Sequence, residues 1–141
     1  MLFRSDQPGQ DDIPFVAGGI GITPVLAQLN ELDLSRFQLY WTIAINDIGL
    51  VQDTFKRFPG LPKATHLFIT GVSESSNPEY IQALEKIESS GGQCVRRRRL
   101  SQVDLNNTNA ETWYLCCGTV LKTVILNWLA GKKVIYEDFG Y

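Results

Sequence analysis

The sequence has 141 residues, of which 44% are hydrophobic and 20% are charged, and this is the composition of one ordinary globular domain. Its 13 basic and 15 acidic residues give a net charge of −2, so no overall field favours nucleic acid or an anionic membrane surface. The three cysteines and the single histidine form no zinc or disulfide pattern. No apolar stretch is long enough to span a membrane, and we expect a cytoplasmic protein.

Apolar segments and turn-forming residues alternate along the chain. Residues 1–12 are predicted as a flexible lead-in, because the polar stretch 5–12 contains both proline and glycine. The first strand is predicted over residues 13–17. A helix is predicted to follow, with Thr23 as its N-cap and Pro24 as its first residue.

Five more strands and three more helices are predicted after this unit. The strands cover residues 37–45, 67–70, 93–96, 113–117 and 132–136, and the helices cover residues 47–58, 77–90 and 119–130. Strands that alternate with helices need crossover connections, which place neighbouring strands parallel. The sequence therefore predicts a single α/β domain over residues 13–141, with a three-layer, doubly wound, mostly parallel sheet of about five to six strands.

The turn after the first predicted strand is rich in glycine, over residues 18–24 (Gly-Gly-Ile-Gly-Ile-Thr-Pro). Glycines let a backbone approach a phosphate, and a helix start presents N–H groups to an anion. Ile20 and Ile22 are expected to pack inward and hold the turn. Pro24 stands where the common dinucleotide fingerprint has Gly or Ala, so the turn departs from that motif. The alternative is that the glycines only form a tight turn between strand and helix.

The turn after the predicted strand 113–117 has a second unusual composition, Cys116-Cys117-Gly118-Thr119. Thr119 is predicted to cap the following helix and to leave its anion-binding end available. Core packing explains Cys116, because a free cysteine behaves as a small hydrophobe. For Cys117 we favour a place in a binding site over core packing.

These turns resemble those of the C-terminal NAD(P)-binding domain in the ferredoxin–NADP reductase superfamily, which includes ferric reductases, NADPH oxidases and flavohaemoglobins. The first is similar to the family's Gly-Gly-x-Gly-x-Thr-Pro loop, and the second to its Cys-Gly-Pro turn, with Thr119 in place of the proline. The family often ends on an acidic residue, a spacer and an aromatic residue, which Glu137 and Phe139 match.

The resemblance implies an oxidoreductase module that binds NADH or NADPH and transfers a hydride to a flavin. It implies that the first turn faces the pyrophosphate and the nicotinamide ribose, and that Cys117 lies beside the nicotinamide ring. The implied cofactor-binding residues are Gly18, Gly19, Gly21, Thr23, Pro24, Gly118 and Thr119, the implied catalytic residues are Cys117, Glu137 and Phe139, and no metal is implied.

Two features of the family are missing. The residues before Ile13 are too few for the family's flavin-binding barrel, so we expect FAD only through a flavoprotein partner or a missing domain. The family commonly has an arginine after the second strand, and the stretch 41–46 has none. Arg96–Arg99 are predicted either to meet a 2′-phosphate or a partner's acidic patch, or to form a solvated strand end.

These departures keep two other functions open beside the oxidoreductase module. One is a repurposed domain, whose old cofactor cleft binds another small molecule or catalyses a non-redox step such as cyclisation or isomerisation. The other is a non-catalytic domain that binds a partner through the surface that would face the barrel.

Overall fold

A computed structural model of the chain describes residues 12–31, 33–90, 94–108 and 110–136. Within these residues the strands are Ile13–Gly18 (β1), Phe37–Ala44 (β2), Thr65–Thr70 (β3), Cys94–Arg96 (β4), Thr112–Cys116 (β5) and Lys133–Tyr136 (β6). The α-helices of the same residues are Thr23–Ala27 (α1), Ile48–Arg57 (α2), Pro78–Ser89 (α3) and Thr119–Trp128 (α4). Short 3-10 helices occupy connections, among them Gly19–Ile22 and Gln102–Asn107.

The strands form one parallel sheet in the order β4–β3–β2–β1–β5–β6. From β1 the chain moves outward to β4 at one edge, and then returns to place β5 on the other side of β1. Strand order therefore reverses between β1 and β5. The predicted α/β fold with a parallel sheet is confirmed, and every neighbouring pair in the described sheet is parallel.

Successive side chains of a strand point to opposite faces of the sheet, and each face carries its own apolar cluster. On the first face, buried side chains of the strands pack against α1, α2 and α3, which contribute Val25, Ile48, Val51, Leu84 and Ile87. On the second face, α4 and the β4–β5 connection contribute Ile125, Leu129, Leu100 and Leu105. The result is three layers, with helices on both faces of the sheet.

The last residue of the predicted lead-in, Asp12, is among the described residues and bonds to the rest of the fold. The Asp12 carboxylate accepts hydrogen bonds from Gln38 Nε2 at 2.7 Å and from Thr108 Oγ1 at 3.0 Å. Residues 1–11 lie outside the described residues, so the prediction of a flexible lead-in stays a prediction there. Among the described residues, no helix combines the length and the apolar character that a membrane crossing needs.

Candidate functional site

The carboxyl ends of β1 and β5 lie side by side at the point where strand order reverses. Parallel α/β sheets bind ligands in the crevice at such a point, because the connections leave in opposite directions there. The turns that follow these strands are the glycine turn after β1 and the Cys116–Thr119 turn after β5. The topology therefore brings together the two turns that the sequence singled out.

These two turns pack directly against each other, and this contact requires glycine. A Cβ built on Gly21 would overlap the carbonyl oxygen of Cys116 and lie 2.8 Å from its carbonyl carbon. A Cβ built on Gly18 would lie 2.8 Å from the Cβ of Cys117. Close packing of the turns thus explains Gly18 and Gly21 without any ligand. Their predicted roles in cofactor binding stay predictions.

Gly19 differs from its neighbours, because the described residues leave the space beside it open. Its φ of +53° lies in the left-handed region, and no atom of the described residues lies within 4 Å of a Cβ built there. Its carbonyl oxygen accepts a hydrogen bond from the indole Nε1 of Trp41 at 2.9 Å. Trp41 is fully buried, so this bond fixes the turn to the core of the first face.

The predicted helix start at Thr23 is wrong in detail. The 3-10 turn Gly19–Ile22 runs directly into α1, so Ile22 already has helical dihedral angles and occupies the N-cap position. The Thr23 hydroxyl donates to the carbonyl oxygen of Ile20 at 2.8 Å instead of accepting from a helix N–H. Ile22 is buried as predicted, but Ile20 is 63% exposed, because the turn directs it to solvent. Pro24 lies in the first turn of α1, which has only five residues.

The start of α4 also differs from the prediction. Gly118, in an extended conformation, is the N-cap residue, and Thr119 is the first helical residue and is exposed. The N-cap prediction for Thr119 is therefore wrong by one residue. Since glycine has no side chain, the N-cap residue makes no side-chain hydrogen bond to the first turn of this ten-residue helix. The positive end of the α4 dipole lies beside the crevice.

Both cysteines of the second turn are buried. Cys116 packs in the cluster of the first face, and Cys117 is 4% exposed in the cluster of the second face. Burial raises the pKa of the Cys117 thiol to about 11, against a smaller opposing effect of Lys122. The thiol is therefore protonated at neutral pH and is not a ready nucleophile. The predicted role of Cys117 beside a nicotinamide ring stays a prediction, and Glu137 and Phe139 lie outside the described residues.

The four arginines after β4 make different contacts. Arg97 donates from Nε and Nη2 to the carboxylate of Glu88 at 2.9 and 2.7 Å. Arg98 forms a bidentate pair with Asp104 at 2.8 and 2.7 Å. The Arg96 guanidinium lies 5.8 Å from the centroid of the Phe68 ring. The Arg99 guanidinium makes no ion pair, hydrogen bond or ring contact within the described part of the chain.

A cavity of about 420 Å³ lies next to the crevice on the second face of the sheet. It is bounded by α4, by the ends of β2 and β3 and by the segment after β4, with lining residues Thr42, Thr70, Arg99, Leu100, Val120, Leu121, Val124 and Trp128. Thr42 is the β2 partner of Gly18, so the cavity begins beside the glycine turn. No pattern in the sequence predicts this cavity. Its one visible sign in the sequence is a threonine near the carboxyl end of each of two strands, Thr42 in β2 and Thr70 in β3.

Comparison with protein-family models, with curated proteins and with solved structures finds no match for the chain. The sheet order and the crevice define the class of fold, and the resemblance to the reductase superfamily stays a prediction. Across the described residues, no group of three or more His, Cys, Asp or Glu side chains is arranged to hold a metal ion.

Proposed function

We propose that the chain binds NADH or NADPH across the carboxyl edge of its sheet. In this proposal it is the nicotinamide-binding module of an oxidoreductase, and the flavin that accepts the hydride belongs to a partner or to another domain. The observation that carries the proposal is the position of the two turns. They lie together at the reversal point between β1 and β5, where this class of sheet binds its ligands.

The residues at the crevice fit a pyrophosphate. The described part of the chain leaves open space beside Gly19, and the N-cap of α4 is Gly118, which has no side chain that would compete for the first turn of the helix. An anion at this place gains from the positive end of the helix dipole and from backbone N–H donors. Thr119 is exposed at the same helix end, as the first residue of α4.

The remaining residues of the edge would orient the cofactor and exclude water. A bound nicotinamide supplies the hydride chemistry, and the protein supplies binding and orientation. The Cys117 thiol stays protonated, so it adds no charge beside the ring. Ile20 on the glycine turn and Val120 in the first turn of α4 are exposed apolar side chains, and Val120 is 82% exposed. A flavoprotein docked on this edge would cover them and exclude water from the reacting groups.

Replacing Thr119 with glutamate is expected to weaken dinucleotide binding about tenfold, because the added carboxylate repels the pyrophosphate at the start of α4. The fold should be retained or gain about 0.5 kcal/mol, since an acidic side chain is favourable in the first turn of a helix. Calorimetric titration with NADH and with NADPH measures the affinity, and thermal unfolding measures the stability.

Gln52→Glu is the matched control, because it adds the same charge at an exposed position of α2, on the first face of the sheet. This variant should bind as the unchanged protein does. Equal affinity of Thr119→Glu and the unchanged protein would show that the start of α4 is not the phosphate site. No heat of binding with either nucleotide at millimolar concentration would contradict the proposed function itself.

A further inference from the structure

We propose that the cavity between α4 and the ends of β2 and β3 is a binding site for an amphipathic organic anion. The ligand would have an apolar body and one carboxylate or phosphate group. This site adjoins the crevice at Gly19 and Gly118 but lies between α4 and the ends of β2 and β3, and the proposal does not depend on dinucleotide binding.

Apolar side chains line the cavity on two sides, from the segment after β4 and from α4. Leu100 is buried on the segment after β4, and Leu121, Val124 and Trp128 line the cavity from α4. Helix α4 is apolar on two sides, since Ile125 packs on the sheet whereas Val124 is partly exposed in the cavity. An apolar surface left open beside a concave space is typical of a ligand site.

Three polar side chains of the cavity lack a partner within the described part of the chain. Thr42 and Thr70 are half-buried at the cavity, and their hydroxyls make no hydrogen bond there. Arg99 is exposed beside them, and its guanidinium makes no ion pair or hydrogen bond to a described residue. These hydroxyls can both donate to and accept from a polar group of a bound ligand.

The charge of the cavity sets the class of ligand. Among the described residues that line it, Arg99 is the charged one. The neighbouring Arg97 and Arg98 are held by Glu88 and Asp104, which leaves Arg99 to meet an incoming anion. A guanidinium matches a carboxylate or a phosphate with two parallel hydrogen bonds. The volume of about 420 Å³ falls in the range of small-molecule sites.

The test uses octanoate and octyl phosphate as probes and follows the indole N–H resonances of isotope-labelled protein by NMR. Trp128 lines the cavity, whereas Trp41 and Trp113 are buried elsewhere and donate to the carbonyl oxygens of Gly19 and Ala110. We expect a saturable shift of the Trp128 resonance with at least one probe. The probe that binds more tightly distinguishes a carboxylate from a phosphate ligand. The indoles of Trp41 and Trp113 should stay unmoved.

Arg99→Gln is expected to weaken probe binding at least tenfold, because a charge-assisted bidentate contact is lost. Arg99→Lys should recover part of the affinity. Arg57→Gln is the matched control, since Arg57 lies on α2 in an exposed pair with Asp53. This control should bind the probes as the unchanged protein does. Thermal unfolding checks that each variant is folded.

Three results would overturn the proposal. The first is the absence of a Trp128 shift with both probes at millimolar concentration. The second is binding of uncharged 1-octanol as tightly as the charged probes, which would indicate an apolar surface without an anion site. The third is unchanged affinity in folded Arg99→Gln. A shift of Trp41 on addition of NADH tests the dinucleotide site separately, so the two proposals fail independently.

Discussion

Gly21→Ala is expected to lower the free energy of unfolding by about 3 kcal/mol, because a Cβ at this position would overlap the backbone carbonyl of Cys116. The turns after β1 and β5 would have to move apart to remove this overlap, because the carbonyl oxygen of Cys116 belongs to the backbone and not to a flexible side chain. Urea unfolding followed by circular dichroism measures the effect.

Gly49→Ala is the control for this variant. Gly49 lies in α2, and no atom lies within 4 Å of a Cβ built there. The substitution should stabilise the protein by roughly 1 kcal/mol, because alanine is the better helix former. If Gly21→Ala unfolds at the same urea concentration as the unchanged protein, the two turns do not pack as described. The result also matters for function, because a bulky residue at position 21 disturbs the fold and cannot serve as a clean test of phosphate binding.

Asp104→Asn is expected to lower the free energy of unfolding by about 2 kcal/mol at neutral pH. The Asp104 carboxylate is 10% exposed and accepts from both Nη atoms of Arg98, and also from the backbone N–H and the hydroxyl of Ser101 at 2.8 and 3.0 Å. Asparagine removes the charge and turns one acceptor into a donor that faces Arg98. Urea unfolding at several pH values measures the difference between the two proteins.

The pH dependence of this difference has a definite sign. The hydrogen bond from Arg98 holds the pKa of Asp104 well below its usual range, against the smaller opposing effect of burial. A lowered pKa in the folded state stabilises the protein above the unfolded pKa, near about pH 4. The advantage over Asp104→Asn should therefore be complete at neutral pH and fade as the pH falls toward the pKa of the folded state. A difference that grows on acidification would contradict this assignment.

Glu111→Gln is the control for Asp104→Asn. Glu111 pairs with Lys132 at 3.2 Å but is 75% exposed, so its loss should change the stability by less than about 0.5 kcal/mol. The comparison separates an ion pair whose carboxylate is largely buried from one whose carboxylate is exposed. The Arg98–Asp104 pair also holds the β4–β5 connection in place. Arg99 and Leu100 of this connection line the cavity, so Asp104→Asn should weaken probe binding there as well.

The fold was predictable because its signals are local and repeated. Apolar runs such as residues 37–45 predict β2, observed over Phe37–Ala44, to within one residue. Asn77 before Pro78 predicts a capped helix start, and Asn77 Oδ1 accepts the N–H of Glu79 at 2.9 Å. The parallel arrangement follows from the alternation of strands and helices, because each helix carries the chain back across the sheet before the next strand begins.

The predictions about the site that were wrong or missing concern features that depend on residues distant in the sequence or on the exact course of the turns. Thr23 and Thr119 are good capping residues by type, but the 3-10 turn before one and Gly118 before the other take the cap position. The need for glycine at position 21 arises from Cys116, which is far along the chain. Thr42, Arg99 and Trp128 meet at the cavity because of the order of the strands in the sheet. No local sequence pattern predicts that order.

The indole of Trp41 reports directly on the glycine turn, beside which we propose that a nicotinamide dinucleotide binds. Its N–H donates to the carbonyl oxygen of Gly19, whereas the Trp113 indole bonds Ala110 at the opposite edge of the sheet. Titration of isotope-labelled protein with NADH and with NADPH should shift the Trp41 indole resonance to saturation and leave that of Trp113 in place. A Trp41 resonance that stays fixed at millimolar concentrations of both nucleotides would contradict the account.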